Sequence, residues 1–234
     1  MTHEFPARPG RGIVTLAAPA LGVRLWRCDL SDGTQISTRL ATLSEPERDR
    51  AARFGHPALR DRYVLGRGAL RTILGGLLGI PAAAVPIVRG PRGRPQLRDR
   101  LLDFNLSHTD GTAIIGVSRH ARIGVDIEAR ARVVNASGIA RKFLSPGERS
   151  RLPEADADAM RRQVLRLWTC KEAMSKATGD ALSAPFASID VDTSGCVMRV
   201  LGGPADYAPQ RWSLHSANAG VQYVATVAVW QAPA

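Results

Sequence analysis

The sequence contains few lysines, few aromatic residues and no long apolar run. Its 32 basic side chains include only three lysines, Lys142, Lys171 and Lys176. Aromatic residues amount to 5%, fewer than expected for a surface that stacks on nucleic-acid bases. No apolar run approaches the ~20 residues that a membrane-spanning helix needs. These shortages argue against a nucleic-acid-binding module and against a membrane protein.

Cysteine is equally scarce. Cys28, Cys170 and Cys196 are odd in number and form no Cys-x-x-Cys pair, which argues against a disulfide framework and against a zinc site. The apolar stretch 13–23 follows two arginines, as an export signal does. However, Pro19 interrupts it and an arginine follows it at once, so we expect a first strand there and a cytoplasmic protein.

Arginine carries the excess of positive charge. The chain of 234 residues has a formal net charge of +11, with an ordinary globular content of 44% hydrophobic and 23% charged residues. The planar guanidinium group suits phosphate and carboxylate groups. The expected partners are therefore anions, namely a phosphorylated small molecule, an acidic protein or nucleic acid. A GC-rich genome would explain many of the surface arginines equally well.

Both halves of the sequence show the same order of elements. Helices are predicted over 57–78 and 156–178. The predicted strands lie over 23–28, 85–88, 104–107, 112–118 and 123–128 in the first half, and over 188–192, 196–201, 212–215 and 221–229 in the second. The turns after residues 107 and 118 are too short for parallel crossovers, so 104–128 should form an antiparallel meander. This order predicts an α+β fold of two similar lobes, 1–119 and 120–234, each a long helix packed on a small antiparallel sheet.

A carboxylate pair ends the last strand of the first half. Alternation along a strand places Asp126 and Glu128 on one face. Two neighbouring carboxylates repel each other unless a cation separates them, and oxygen ligands suit Mg²⁺. A polar edge that faces water would explain the pair equally well.

The second long helix contains Glu172 and Lys176, four positions apart on one face. Lys171 and Lys176 are two of only three lysines and lie close together, which indicates a role beyond an exposed ion pair. The strand over 104–107 leads into Ser107 and His108, which can both donate hydrogen bonds to a phosphate, although a structural histidine is commoner. Arginines cluster at positions 48, 50, 53, 62, 67 and 71, and in the loop 89–94.

In this order, the motifs resemble the surfactin-synthetase-activating type of 4'-phosphopantetheinyl transferase, in its Trp-x-x-Lys-Glu-Ala subgroup. The resembling segments are Phe104–His108, Gly124–Glu128, Arg141–Ser145 with Glu148, and Trp168–Ala173 with Lys176 and Gly179. The region 54–71 and the Gly93-Arg94-Pro95 loop also fit. Together they cover residues 45–190.

The resemblance implies two pseudo-symmetric lobes with coenzyme A and Mg²⁺ in the cleft between them. The implied reaction moves the phosphopantetheine arm of coenzyme A onto a serine of an acidic acyl or peptidyl carrier protein, and releases adenosine 3',5'-bisphosphate. A chain with two lobes can build this cleft alone, so we expect a monomer. Which carrier protein is served stays open.

The resemblance also implies roles for individual residues. Asp126, Glu128 and Glu172 would be the metal carboxylates, and Glu172 or Glu128 would take the serine proton directly or through a water molecule. Lys176 would act on the pyrophosphate, and Ser107 and His108 would meet coenzyme phosphates. Arg94 and Pro95 would border the adenine, and Arg50 and Arg62 would lie near the 3'-phosphate, with arginine at position 50 where lysine is common. A relative that binds coenzyme A or a carrier protein without transfer is the alternative within the family.

Overall fold

The computed structural model describes residues 10–231, except residues 91, 154 and 196. In this part of the chain the strands are β1 (Ile13–Leu16), β2 (Val23–Asp29), β3 (Ile87–Arg89), β4 (Pro95–Leu97), β5 (Asp103–Thr109), β6 (Thr112–Ser118), β7 (Arg122–Ala129), β8 (Asp190–Asp192), β9 (Arg199–Gly202), β10 (Trp212–Ser216) and β11 (Tyr223–Trp230). The α-helices are α1 (Ile36–Ala41), α2 (Glu45–Ala52), α3 (Pro57–Leu78), α4 (Ala136–Phe143), α5 (Pro146–Ser150) and α6 (Ala157–Thr178).

The first long helix, α3, packs on a four-stranded antiparallel sheet with the order β1-β2-β6-β5. The helix predicted over 57–78 is confirmed at both ends, and Gly79, with a φ of 69°, stops it in the left-handed conformation that glycine favours. Leu70 and Leu74 of α3 join one apolar core with Trp26 of β2. Burial of a side chain of this size stabilises the fold by roughly 1.5–3 kcal/mol.

The second long helix, α6, packs on a three-stranded antiparallel sheet with the order β10-β11-β7. The helix predicted over 156–178 is confirmed, with the Asp156 side chain as its N-cap and Gly179 after its last turn. The helix and β7 are so close that a Cβ atom at Gly124 would lie 1.8 Å from the Ala173 carbonyl oxygen. Each half therefore consists of a long helix on an antiparallel sheet, as predicted.

The predicted meander over 104–128 is wrong in its last step. β5 and β6 form the expected antiparallel hairpin around Gly111, whose φ is 68°. β7, however, pairs along its whole length with β11, from Arg122 opposite Trp230 to Ala129 opposite Tyr223. Short connections favour local pairing, but the buried strand β7 has its backbone partner at the far end of the chain.

Side chains of β5 join the two sheets. The Asp103 Oδ2 atom accepts a hydrogen bond from the Ile123 amide at 2.7 Å, and the Asn105 Oδ1 atom accepts one from the Val125 amide at 2.9 Å. β5 and β7 thus lie side by side in the same direction, one from each half. Their neighbouring carboxyl ends carry the polar residues of the candidate site.

Several shorter elements differ from prediction. The strands expected at 85–88 and 188–192 begin later, because the 3₁₀ turns Ala82–Ala84 and Phe186–Ser188 precede them. Residue 196, the first of the strand predicted over 196–201, lies outside the described residues. The stretch 13–23 holds β1 and the turn into β2. The short helices α1 and α4 were not predicted, because a helix of one or two turns shows little hydrophobic periodicity in its sequence.

Two further findings bear on the sequence predictions. Cys28 and Cys170 are buried free thiols, and burial raises the pKa of each to about 12, so neither is a reactive thiolate. Cys196 lies outside the described residues. Within the described part of the chain, every helix is too short or too polar to cross a bilayer.

Candidate active site

Asp126 and Glu128 project from one face of β7 toward α6. Gly124 lies on the same face and allows the helix to approach, so both carboxylates are held under it. Asp126 is 4% exposed and Glu128 is 9% exposed. Carboxylates so little exposed need a counter-charge or several hydrogen bonds. The predicted arrangement on one strand face therefore forms a buried acidic site rather than a polar edge.

Asp126 is the centre of this group. Its Oδ1 atom accepts a hydrogen bond from the Ser107 hydroxyl at 2.8 Å and pairs with the Lys176 ammonium at 2.6 Å. The same ammonium donates to the Ser107 hydroxyl oxygen at 2.9 Å. The Oδ2 atom is buried and has no hydrogen-bond partner among the described residues. A buried carboxylate oxygen in that state lacks the hydrogen-bond donor or cation that would offset the cost of its burial.

Glu128 and Glu172 lie within electrostatic reach of Asp126. Burial and the negative charge of Asp126 raise the pKa of Glu128, against the opposing effect of Arg132, which donates a hydrogen bond to it. Burial also raises the pKa of Glu172, where Lys176 opposes the shift and Asp126 adds to it. We name Asp126, Glu128 and Glu172 the carboxylate site. When all three carboxyl groups are ionised, their negative charge exceeds the positive charge of the nearby Lys176 and Arg132.

The donor chemistry of the carboxylate site fits a hard divalent cation. It offers only oxygen atoms, one of them buried and unpartnered, and two of its carboxyl groups have raised pKa values. As the side chains now lie, no three His, Cys, Asp or Glu residues of the described chain are grouped so that they could hold a metal ion. Lys176 and Arg132 pair with Asp126 and Glu128 instead. Arg132 is a part of this site that the sequence analysis missed.

A cavity of about 620 Å³ lies between α2, α3 and the strands β3 to β5, and its lining includes Arg50, Arg62, Pro95 and His108. We name it the arginine cavity. The Arg50 guanidinium stacks over the Tyr63 ring at 5.2 Å. Burial and the positive charges of Arg62 and Lys176 lower the pKa of His108. The walls therefore favour an anionic ligand.

β5 connects the arginine cavity to the carboxylate site. Successive residues of a strand point to opposite faces, so Ser107 contacts Asp126 while His108 lines the cavity. The neutral tautomer of His108 and the Arg62 guanidinium can both donate to phosphate oxygens there. A ligand with two separated phosphate groups could thus contact both places at once.

Not every predicted arginine lines the arginine cavity with a free charge. Arg67 and Arg71 both pair with Glu47 of α2. Although burial acts to raise the pKa of Glu47, these two arginines lower it overall. Arg71 is 2% exposed and also donates to the carbonyl of Val85, so it is a structural residue.

Arg94 behaves differently from its neighbour Pro95. It is buried and forms a bidentate pair with Asp103, at 2.8 and 2.7 Å. It also donates to the carbonyl oxygens of Lys176 and Ile123, both at 2.8 Å. The Arg94 side chain therefore ties β5, β7 and α6 together, while Pro95 lines the arginine cavity.

The two lysines of α6 have separate roles. Lys171 is fully buried on the far side of the helix, where it pairs with Glu148 at 2.6 Å and donates to three backbone carbonyls. Five positions correspond to about 140° around a helix, so Lys176 points elsewhere and reaches Asp126. The scarcity of lysine indicated that both matter. It could not show that Lys171 serves the core.

Comparison with known proteins identifies the family. A family model described as the 4'-phosphopantetheinyl transferase superfamily matches residues 122–228. HetI, a 4'-phosphopantetheinyl transferase of Nostoc sp., is 39% identical over 166 residues, which cover 69% of this chain and 70% of the relative. The chain belongs to the 4'-phosphopantetheinyl transferase superfamily.

Other members show similarity over comparable lengths. The 4'-phosphopantetheinyl transferase of Bacillus subtilis is 30% identical over 154 residues, or 65% of this chain and 67% of the relative. The transferase psf-1 of Bacillus pumilus is 29% identical over 187 residues, or 78% of this chain and 79% of the relative. The protein is accordingly a 4'-phosphopantetheinyl transferase that activates carrier proteins.

Proposed function

We propose that this transferase is of the surfactin-synthetase-activating type and requires Mg²⁺. It moves the phosphopantetheine arm of coenzyme A to a serine hydroxyl of an acidic acyl or peptidyl carrier protein, and adenosine 3',5'-bisphosphate leaves. The segment Trp168–Ala173 supports the assignment to the Trp-x-x-Lys-Glu-Ala subgroup, because it lies on α6 beside the carboxylate site. The buried Asp126, with one oxygen on Lys176 and Ser107 and the other unpartnered, carries the proposal.

The arginine cavity would bind the nucleotide end of coenzyme A. Arg50 and Arg62 would lie near the 3'-phosphate, with His108 beside them, because guanidinium groups bind phosphate in a bidentate manner. Pro95 of the cavity wall, together with the backbone at Arg94, would border the adenine. Ser107 and Lys176 would face the pyrophosphate.

Asp126, Glu128 and Glu172 would hold Mg²⁺ through their carboxylate oxygens. When bound, this ion would neutralise charge on the diphosphate as a Lewis acid. Lys176 would offer a point charge to the same group, which matters most as the leaving group gains charge. The carrier serine supplies the nucleophile, so this chain needs only to orient it. Glu172 or Glu128 would accept the serine proton, and a raised carboxyl pKa suits that task near neutral pH.

The proposed site requires both halves of one chain. We place the boundary between the lobes at residues 119 and 120, immediately before β7 joins the second sheet. Ser107 and His108 would then come from the first lobe, and Asp126 and Lys176 from the second. A monomer would be sufficient, and the positive net charge would accelerate the approach of an acidic carrier.

An Asp126→Asn variant tests this function directly. Asparagine keeps the size of the side chain but removes the charge, so transfer should fall by at least about 100-fold, since metal charge stabilisation supplies several kcal/mol. The assay is mass spectrometry of a carrier domain after incubation with coenzyme A and Mg²⁺. Asp158→Asn, on the exposed start of α6, is the matched control and should transfer normally.

Two results would contradict the proposal. One is wild-type transfer by Asp126→Asn in the presence of Mg²⁺. The other is coenzyme A binding by the wild-type protein with no mass gain on any carrier tested, which would indicate a relative that binds without transfer. Mn²⁺ titration followed by electron paramagnetic resonance reports metal binding separately, and Asp126→Asn should weaken it.

A further inference from the structure

A second cavity of about 650 Å³ lies where the two halves meet again, at the opposite end of β5 and β7 from the carboxylate site. Its lining includes Arg92 and Arg100 from the loops around β4, Arg122 at the start of β7, and Trp230 at the end of β11. We name it the seam cavity. It shares no lining residue with the arginine cavity. Arg122 precedes Asp126 by four strand positions, which correspond to about 13 Å.

The seam cavity has an excess of positive charge. Five arginines and two aspartates line it. Arg94 takes Asp103 as its partner, and Arg92 pairs with Asp180 just outside the lining. Within the described residues, Arg100 and Arg122 form no ion pair with a carboxylate. Their charges are therefore left to solvent or to a ligand.

The Trp230 residue forms part of the wall of the seam cavity and lies against Arg122. Its side chain is 6% exposed, and its Nε1 atom is buried without a hydrogen-bond acceptor among the described residues. A buried donor without a partner costs about 1–3 kcal/mol. The Arg122 guanidinium lies over the ring of this same residue, 5.4 Å from its centroid. On this wall the Arg122 charge therefore lies against an aromatic ring, and no carboxylate among the described residues pairs with it.

The electrostatics of Arg122 agree with this geometry. Burial and the positive charges of Arg94, Arg100 and Arg92 lower its pKa, and only Asp103 opposes them. Clustered arginines of like charge repel one another, and an anion among them would relieve that repulsion. Arginine forks fit the oxygen geometry of phosphate well.

We propose that the seam cavity binds the phosphate group of a small molecule, at a site separate from coenzyme A. Arg100 and Arg122 would contact the phosphate oxygens. A volume of about 650 Å³ accommodates either a free pyrophosphate or a nucleotide. The proposal does not depend on the transfer reaction, so its failure would leave the proposed function untouched.

Calorimetric titration of the full chain with pyrophosphate, without Mg²⁺, tests the proposal. Wild-type protein should bind two equivalents, one in each cavity. Arg62→Gln/His108→Gln should remove the equivalent in the arginine cavity, and Arg100→Gln/Arg122→Gln should weaken the other at least tenfold. Arg162→Gln/Arg199→Gln removes two exposed charges elsewhere and should keep both equivalents.

Three outcomes would overturn the proposal. One is that the wild-type protein binds a single pyrophosphate and that Arg62→Gln/His108→Gln abolishes this binding. Another is that the Arg162→Gln/Arg199→Gln control loses as much pyrophosphate binding as Arg100→Gln/Arg122→Gln. The third is that the seam cavity binds a short oligonucleotide in preference to pyrophosphate. If Arg100→Gln/Arg122→Gln does not fold, Arg100→Glu on the exposed loop should produce the same loss. Titration with ADP distinguishes the source of the phosphate, since tighter binding than pyrophosphate indicates a nucleotide and equal binding indicates free pyrophosphate.

Discussion

The buried ion pair between Lys171 and Glu148 allows a quantitative test of the fold. Both side chains are 0% exposed, and their charged atoms are 2.6 Å apart. The ammonium also donates to the carbonyl oxygens of Phe143, Phe186 and Ile189 at 3.0, 2.6 and 2.7 Å. This one side chain therefore holds α4, α6 and the segment before β8 together.

A Lys171→Met variant should lose a large part of the stability of the protein. It leaves the Glu148 carboxylate buried without a cation, which costs about 3–5 kcal/mol. For a domain of this size the melting temperature should fall by about 6–20 °C. Burial disfavours the charged form of both partners. It therefore lowers the pKa of Lys171 and raises the pKa of Glu148. Neither charge is therefore tolerated alone.

Urea unfolding followed by circular dichroism measures this loss. Lys142→Met is the matched control, because Lys142 is exposed, and it should change the free energy of unfolding by no more than about 0.5 kcal/mol. Adding Glu148→Gln to Lys171→Met should recover about 1–3 kcal/mol relative to the sum of the single changes. The ordinary effect of a point mutation is about 1 kcal/mol. A Lys171→Met protein that is destabilised by no more than this amount would refute the reasoning.

Three other changes have defined outcomes. Lys176→Ala should lower kcat more than it raises KM for coenzyme A, because the charge acts mainly on the leaving group, and an unaltered kcat in steady-state assays would count against this role. Because the pKa of Glu172 is raised in the folded state, the metal-free protein should lose stability as the pH rises from the ordinary glutamate pKa to the raised one. Glu172→Gln should reduce that loss, as measured by melting curves at several pH values. An unchanged dependence of stability on pH would disprove this prediction. Gly124→Ala should destabilise the protein by several kcal/mol, because the new methyl group clashes with Ala173. Gly76→Ala, in open space on α3, should stabilise it by about 0.5–1 kcal/mol. Equal urea midpoints for the two variants would contradict the packing described.

Local signals in the sequence determined the long helices and the order of the motifs. The ends of α3 and α6 were predictable because capping residues and the glycines at 79 and 179 act within one turn. Alternation placed Asp126 and Glu128 on one face of a strand for the same reason. Such features depend on neighbours in the chain, so they can be read without a fold.

The tertiary structure decided which residues meet. β7 pairs with β11 rather than β6 because a buried strand takes the partner that completes its sheet, however distant in the chain. Lys171 and Lys176 look equivalent in sequence, but the packing of α6 buries one in the core and directs the other to Asp126. Charge compensation by distant residues, as Glu47 provides for Arg67, is also a product of folding. Burial and pairing across the chain set the electrostatics of this protein, and no local pattern contains them.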